Sequence, residues 1–158
     1  IVVPIVDNGK LENEKQKEDL IEYLIFKKDL LKSTGVFILF ESDLSPKKLY
    51  KFIEEFPKDT FGINFDTGNS ASLGFDSDDE FQLYGERIKN VHIKDRLLGG
   101  NTVPLGQGNT DFEKIFKNLF SINYKGNLIL QTARSMNNKH SDVLNQYRLM
   151  IEKWIKRY

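Results

Sequence analysis

Short, wholly apolar segments alternate with amphipathic helical segments along the chain, and this alternation constrains the fold more than any other feature. The apolar segments cover residues 2–6, 36–40, 61–65, 88–93 and 128–130. Strands that are apolar on both faces are typical of a parallel sheet buried between layers. The intervening segments repeat apolar residues every three to four positions, as helices do. The order, five β-α units in succession, predicts an α/β fold with a parallel sheet covered by helices.

The helical segments are predicted from their apolar stripes and from the polar residues that precede them. One helix is predicted over residues 15–31, and four more are predicted to follow N-cap residues: Ser45, Ser77, Thr110 and Ser141. Pro46 suits the first helical position, and the segments from Ser77 and Thr110 have a capping-box pattern. Two long loops are predicted, one between Asn69 and Ser77 and the other over residues 97–109.

The length of the chain, 158 residues, suits one domain but leaves two architectures open. A doubly wound sheet of five strands would be complete at this length. A (β/α)8 TIM barrel needs about 250 residues, so five units would be its C-terminal part. Because the sequence begins within an apparent strand, Ile1-Val2-Val3-Pro4, we favour the barrel. We therefore predict the C-terminal five βα units of a (β/α)8 TIM barrel, with the N-terminal part missing and residues 1–158 forming a single partial domain.

Composition restricts the partners and the compartment. Lys and Arg number 23, as do Asp and Glu, so the net charge is zero, which argues against a nucleic-acid surface. The chain has no cysteine, which excludes disulfides and thiolate metal sites and fits a reducing compartment, predicted to be the cytoplasm. No apolar run approaches about 18 residues, so no membrane span is predicted. The composition is compatible with either a monomer or a homo-oligomer.

Polar residues follow or end the predicted strands, where an α/β protein collects its chemistry. They are Glu41, Asp66, His92 and Gln131. In a parallel sheet the carboxyl ends of all strands lie on one rim, so these side chains can converge. Carboxylates and imidazole suit a divalent ion such as Mn²⁺, Mg²⁺ or Co²⁺. Polar residues commonly end strands, so spacing alone leaves a metal site and coincidence equally open.

Charged residues near these strand ends allow two interpretations each. Lys94 and Asp95 either orient His92 or bind substrate, or they form a salt bridge at the rim. Arg134, just past the last strand, either reaches an anionic group of a substrate or lies on the surface. The four glycines of residues 97–109 either leave backbone amides open to a phosphate or belong to a flexible loop.

Five sequence segments together resemble a known family. They are F-E-S-D-L at 40–44, G-I-N-F-D-T-G-N at 62–69, V-H-I-K-D at 91–95, P-L-G-Q-G at 104–108 and Y-K-G-N-L-I-L-Q at 124–131. In order and spacing they are similar to the xylose isomerase-like TIM-barrel superfamily, in the sugar phosphate isomerase/epimerase branch. That branch includes tagatose epimerase-like and xylulose phosphate epimerase-like enzymes. The resemblance covers the whole chain as the C-terminal part of the barrel.

The resemblance implies a role for several of these residues. It implies that Glu41, Asp66 and His92 are metal ligands and that Glu41 is also a catalytic base. The fourth ligand and second catalytic carboxylate of the family is a glutamate, and Gln131 stands in its place. Asn69 occupies the position of a substrate-contacting histidine. Arg96 falls close to the position of a substrate-binding arginine.

The function implied by the resemblance is a divalent-metal-dependent isomerase or epimerase of a sugar or sugar phosphate. Such enzymes move a proton next to a carbonyl group through an enediolate. Glutamine cannot take or give a proton near neutral pH, so the one evident base, Glu41, favours chemistry on one face of the substrate. Two alternatives remain: a catalytically impaired sugar-binding or scaffold protein, and an endonuclease IV-like DNA-repair hydrolase.

Overall fold

The protein is described by a computed structural model that covers residues 1–135 and 137–158. Its strands are β1 (Val2–Ile5), β2 (Ile38–Ser42), β3 (Phe61–Asp66), β4 (Ile88–Ile93), β5 (Asp95–Arg96), β6 (Thr102–Val103) and β7 (Asn127–Leu130). Its helices are α1 (Glu14–Phe26), α2 (Lys28–Thr34), α3 (Pro46–Glu54), α4 (Thr67–Leu73), α5 (Ser77–Tyr84), α6 (Phe112–Ser121) and α7 (His140–Ile155). Among these helices, none is long and apolar enough to cross a bilayer.

Five strands form one parallel sheet in the order β1-β2-β3-β4-β7. Each strand is joined to its neighbour through at least one helix, which is the crossover that parallel pairing requires. The predicted α/β class and the five parallel strands are therefore confirmed. The two remaining strands, β5 and β6, pair antiparallel as a small hairpin after β4.

The two faces of the sheet differ in character. On one face, Phe40 packs against Phe52 of α3 and Phe65 packs against Phe81 of α5. Phe61 stacks on Phe40 on the same face. Successive residues of a strand point to opposite faces, so the other face receives Glu41, Asn64, Asp66, Asn90 and His92. The sheet thus separates an aromatic core under the helices from a polar face that carries the candidate site.

Helix boundaries differ from the sequence prediction in two places. The segment predicted as one helix over residues 15–31 is two helices, and Lys27 (φ −89°, ψ −3°) is the C-cap of α1 and the N-cap of α2. The helix α4 begins directly after Asp66 and extends into the long loop predicted after Asn69. Its sequence, T-G-N-S-A-S-L, lacks an apolar stripe and is rich in weak helix formers, so periodicity does not reveal it.

The N-caps also differ in part. Ser45 is the N-cap of α3 as predicted, with Pro46 in its first turn. For α5 and α6 the caps are Asp76 and Asp111, not Ser77 and Thr110, and each carboxylate accepts a backbone N–H of its helix. An ionised carboxylate is a stronger acceptor than a hydroxyl at the positive end of a helix. The last helix begins at His140, one residue before the predicted Ser141 cap.

Candidate metal centre

Three side chains from neighbouring strands form a compact ligand set. Glu41 projects from β2, Asp66 ends β3, and His92 lies on β4. One ligand atom from each lies within 4.8 Å of the others. His92 Nδ1 is 3.1 Å from Glu41 Oε2 and 3.9 Å from Asp66 Oδ2. The sequence prediction that these three strand ends converge is therefore met in the geometry.

Two buried asparagines, Asn64 and Asn90, stand two residues before Asp66 and His92 on the same strands. Asn64 Nδ2 donates to Glu41 Oε2 at 2.8 Å and lies 3.1 Å from His92 Nδ1. Asn90 Nδ2 donates to Asn64 Oδ1 at 2.5 Å. Neither asparagine was identified from the sequence, although each stands two residues before a predicted ligand and therefore faces the same side.

Asn69, in the first turn of α4, connects the ligand set to the rim. Its Nδ2 donates to Glu41 Oε1 at 2.9 Å, and its Oδ1 accepts from Arg96 Nη1 at 2.9 Å. Arg96 also donates twice to the carbonyl oxygen of Gly100, at 3.0 and 2.8 Å. The hairpin thus holds Arg96 next to Asn69, so these two of the residues predicted to bind substrate border the ligand set.

Lys94 brings a positive charge to the same cluster. Its Nζ lies 3.0 Å from Gln131 Oε1 and 3.4 Å from both Asp66 Oδ2 and Asn69 Oδ1. Gln131 itself is exposed at the end of β7. Gln131, which stands where the resemblance places a fourth metal ligand, is thus linked to Asp66 through Lys94.

The two carboxyl groups respond differently to their surroundings. Burial opposes ionisation of Glu41, but the hydrogen bond and charge of His92, together with Lys94 and Asn64, outweigh it and lower the pKa of Glu41. Burial raises the pKa of Asp66, and Lys94 and the backbone amide of Asn69 offset this only in part. A cation between these groups would favour the ionised form of both.

The start of α4 is tied to the end of β4. Thr67 Oγ1 donates to the carbonyl oxygen of Lys94 at 2.6 Å and accepts the backbone N–H of Lys94 at 2.9 Å. Gly68 permits this approach, because a Cβ atom there would lie 2.7 Å from Lys94 Cγ. Asp66 caps the same helix by accepting the backbone N–H of Asn69 at 2.8 Å. The segments that carry Asp66 and His92 are therefore joined directly.

The structure corrects the prediction that Asp95 binds substrate or orients His92. Its side chain is fully buried, at 0% exposure. Its carboxylate accepts the backbone N–H groups of Gly106 at 2.8 Å, Gly108 at 2.9 Å and Thr110 at 3.1 Å. Asp95 instead organises the loop that follows the hairpin, because a carboxylate can accept several amide hydrogens at once.

These contacts also bear on the glycines of residues 97–109, for which phosphate binding by open amides is one of two interpretations. Besides Gly106 and Gly108, the N–H of Gly99 donates to Ser72 and that of Gly100 to Leu97. All four glycine amides are thus satisfied within the protein. Arg134 is exposed beside a cavity of about 320 Å³ between the end of β7 and α7, which Ser135 and His140 also line.

A second buried carboxyl group, Glu80 of α5, lies beneath α4. Ser70 Oγ donates to Glu80 Oε2, and Tyr84 Oη donates to Oε1 at 2.7 Å. Burial raises the pKa of Glu80 to about 7. The hydrogen bonds from Ser70 and Tyr84 act in the opposite direction, and the negative charges of Asp76 and Asp79 raise the pKa by a smaller amount. Through Ser70 this group anchors the helix that carries Asn69.

Comparisons with known proteins extend these observations. A family described as xylose isomerase-like TIM barrel matches residues 1–156. A putative L-ribulose-5-phosphate 3-epimerase, SgbU, from Escherichia coli K12 is 33% identical over 94 residues, covering 55% of this chain and 33% of the relative. An inosose dehydratase from Clostridium perfringens is 28% identical over 155 residues, covering 83% of this chain and 52% of the relative.

Solved structures show the same fold. A crystal structure described as the IolI protein with a bound zinc atom has a TM-score of 0.79 and 19% identity, over 99% of this chain and 63% of that one. At this identity the likeness concerns the fold alone. The matched segments span a third and about half of the length of the two curated relatives named above.

Proposed function

Because the chain belongs to the xylose isomerase-like TIM barrel family, we propose that it is part of a divalent-metal-dependent isomerase or epimerase of a sugar or sugar phosphate. The observation that carries the proposal is the convergence of Glu41, Asp66 and His92 within 4.8 Å on the polar face of the sheet. The sugar-phosphate epimerase among the relatives supports the substrate class. The sheet would supply the last five βα units of a (β/α)8 barrel, with residues 1–158 as one partial domain.

The residues present fit a divalent ion. Two carboxylates and an imidazole are a donor set that such ions accept, and the two carboxylates are buried where an uncompensated pair would be costly. Glu41, Asp66 and His92 would hold the ion, with the neutral oxygen of Gln131 as a fourth ligand. A bound ion would polarise the carbonyl group of the substrate and stabilise the negative charge that develops on its oxygen. Its identity among Mn²⁺, Mg²⁺ and Co²⁺ is left open.

The side chains then have separate tasks. Glu41 takes the proton next to the carbonyl, and the amides of Asn64 and Asn69 fix the orientation of its carboxylate. Lys94 and Arg96 border the site and bind oxygen atoms of the substrate. Gln131 cannot exchange a proton, so a single base returns the proton on the face from which it was removed. This favours aldose–ketose isomerisation over epimerisation.

The test is exchange of the substrate proton next to the carbonyl with deuterated solvent, followed by NMR. Candidate ketoses and their phosphates are incubated with the full-length protein and each divalent ion in turn. Glu41→Gln should abolish the exchange, whereas Glu55→Gln, which makes the same change on the exposed end of α3, should leave it intact. Equal exchange in Glu41→Gln and the wild type would refute the role of Glu41. Absence of both a bound ion and exchange in the wild type would favour a sugar-binding protein.

Restoring the carboxylate at position 131 tests the one-base interpretation. Gln131→Glu should raise epimerisation relative to isomerisation, because a second group could then exchange a proton across the substrate. Chromatographic analysis of the products distinguishes the two reactions. If the wild type epimerises efficiently and the variant does not improve on it, the one-base interpretation is wrong.

The inosose dehydratase among the relatives supports a second candidate reaction. Dehydration next to a ketone begins with the same proton removal by Glu41 and ends with loss of a hydroxyl group as water. It would give an unsaturated ketone, which absorbs in the ultraviolet, whereas isomerisation and epimerisation give no such product. Absorbance during turnover therefore separates the two candidates.

A further inference from the structure

Asn64 and Asn90 form a buried layer directly beside the metal-ligand set. The two residues are register partners on β3 and β4, and the next inward pair along the same strands is Asp66 and His92. Asn64 is 2% exposed and Asn90 is 9% exposed. Two amide side chains at such depth require hydrogen-bond partners, because an unpaired buried amide costs about 1–3 kcal/mol.

A register shift places these pairs opposite each other. Ile63 pairs with Ile88, but Asn64 pairs with Asn90, so Lys89 is an extra residue on β4. Without the shift, Asn64 would face Lys89 and Asp66 would face Val91. Both Asn90 and His92 would then be one residue out of register with β3. Bulges of this kind commonly occur next to active sites, where they redirect side chains.

The hydrogen bonds fix the orientation of the Asn64 amide. Its Oδ1 accepts from Asn90 Nδ2 at 2.5 Å, and its Nδ2 donates to Glu41 Oε2 at 2.8 Å. The reversed amide would place an oxygen against the carboxylate of Glu41, which is unfavourable. Asn90 therefore determines that Asn64 presents a donor to Glu41.

Glu41 is held at both oxygen atoms, because Asn69 donates to Oε1 at 2.9 Å. Two donors on opposite oxygens define the plane of the carboxylate. Each oxygen retains lone pairs, since an ionised carboxylate can accept about four hydrogen bonds. Asn69 is half-buried near the rim beside the hairpin, whereas Asn64 is buried.

We infer that Asn64, oriented in turn by Asn90, is a positioning residue that sets the carboxylate of Glu41 for metal binding. The inference rests on the proposed function in that Glu41 is taken as a metal ligand. An amide suits this position because it donates a hydrogen without adding a third negative charge beside Glu41 and Asp66. Leucine has the same branching at Cγ and the same number of side-chain heavy atoms but cannot donate, and it would also leave the amide of Asn90 without its acceptor.

Binding of Co²⁺ or Mn²⁺ by isothermal titration calorimetry tests the inference without reference to activity. Asn64→Leu should weaken binding by about 10- to 100-fold, the usual effect of removing a group that orients a metal ligand. Asn90→Ser should weaken it several-fold, and the double variant should bind no more weakly than Asn64→Leu alone, because Asn90 acts through Asn64. Asn118→Leu on α6, which removes an exposed amide that donates to Asp78, is the matched control and should bind as the wild type does.

Circular dichroism and thermal melting of the metal-free proteins show that each variant is folded. An affinity of folded Asn64→Leu within twofold of the wild type overturns the inference while leaving the metal site intact. Additive losses in the double variant overturn the dependence on Asn90. If Asn64→Leu does not fold, Asn90→Ser decides alone, and unchanged affinity overturns the inference. A wild type that binds no divalent ion overturns the metal site and the inference together.

Discussion

Replacing Glu80 by glutamine should change how the stability of the fold depends on pH. The Glu80 side chain is 2% exposed, and burial raises its pKa from 4.5 to about 7. The unfolded chain loses this proton near pH 4.5, whereas the folded protein keeps it until about pH 7. Between these values the folded state binds more protons, so the free energy of unfolding falls as the pH rises through that window. Glutamine does not ionise and removes this dependence.

The size of the effect follows from the pKa difference. Each pKa unit is worth about 1.36 kcal/mol, so the shift corresponds to about 3 kcal/mol of stability lost by the wild type between pH 4.5 and pH 8. The hydrogen bonds from Ser70 and Tyr84 are already included in the shift, because both donate to the carboxylate. Relative to the wild type, Glu80→Gln should therefore gain about 3 kcal/mol over the same interval.

Urea denaturation at pH 4.5 and pH 8, followed by circular dichroism in the presence of a chelator, measures both proteins in the same state. The contributions of other titrating groups cancel in the difference between variant and wild type. Glu55→Gln makes the same change at the exposed C-cap of α3 and controls for net charge. A difference between Glu80→Gln and wild type that stays constant within about 1 kcal/mol across this pH range would refute the argument.

Two further substitutions probe the site and its loop. Lys94→Met should strengthen binding of a divalent ion about tenfold, because the ammonium group lies 3.4 Å from Asp66 Oδ2 and repels a second cation there. Calorimetric titration measures the affinity, and weaker binding by the variant would contradict the electrostatic reasoning. Asp95→Asn should lower the free energy of unfolding by about 2–4 kcal/mol, because an amide nitrogen would replace an oxygen that accepts buried backbone N–H groups. Urea unfolding within about 0.5 kcal/mol of the wild type would show that the loop finds other partners.

The sheet could be predicted from the sequence because its strands are buried on both faces. A segment such as Phe61–Asp66 is buried along its whole length, so its composition alone identifies it. The same property concealed Asn64, because it lies in the middle of an apolar run, although its spacing of two residues from Asp66 places both on one face. Its partnership with Asn90 depends on a register shift, and a shift of one residue has no sequence signal of its own.

The convergence of Glu41, Asp66 and His92 followed from parallel topology, since the carboxyl ends of neighbouring strands must meet. The contacts around them did not follow, because they depend on α4. Without that helix Asn69 could not be placed against Glu41. Asp95 was misjudged for a related reason: an acidic residue after a ligand-bearing strand serves a site or a loop equally well, and only the chain path of residues 106–110 decides between them.

The turn that opens α4 has a consequence for how such a site can diverge. Thr67 ties the turn to Lys94, Gly68 provides the close approach, and Asn69 supports Glu41 and accepts from Arg96. Three consecutive residues thus have three different steric and bonding requirements, so an insertion or deletion of one residue here would disrupt all of them together. In the hairpin over residues 95–103, a change around Gly100 would shift Arg96, which donates to the Gly100 carbonyl oxygen, without altering the Thr67 and Glu41 contacts of the turn. New substrate preferences would therefore arise more readily in the hairpin, while the turn stays fixed.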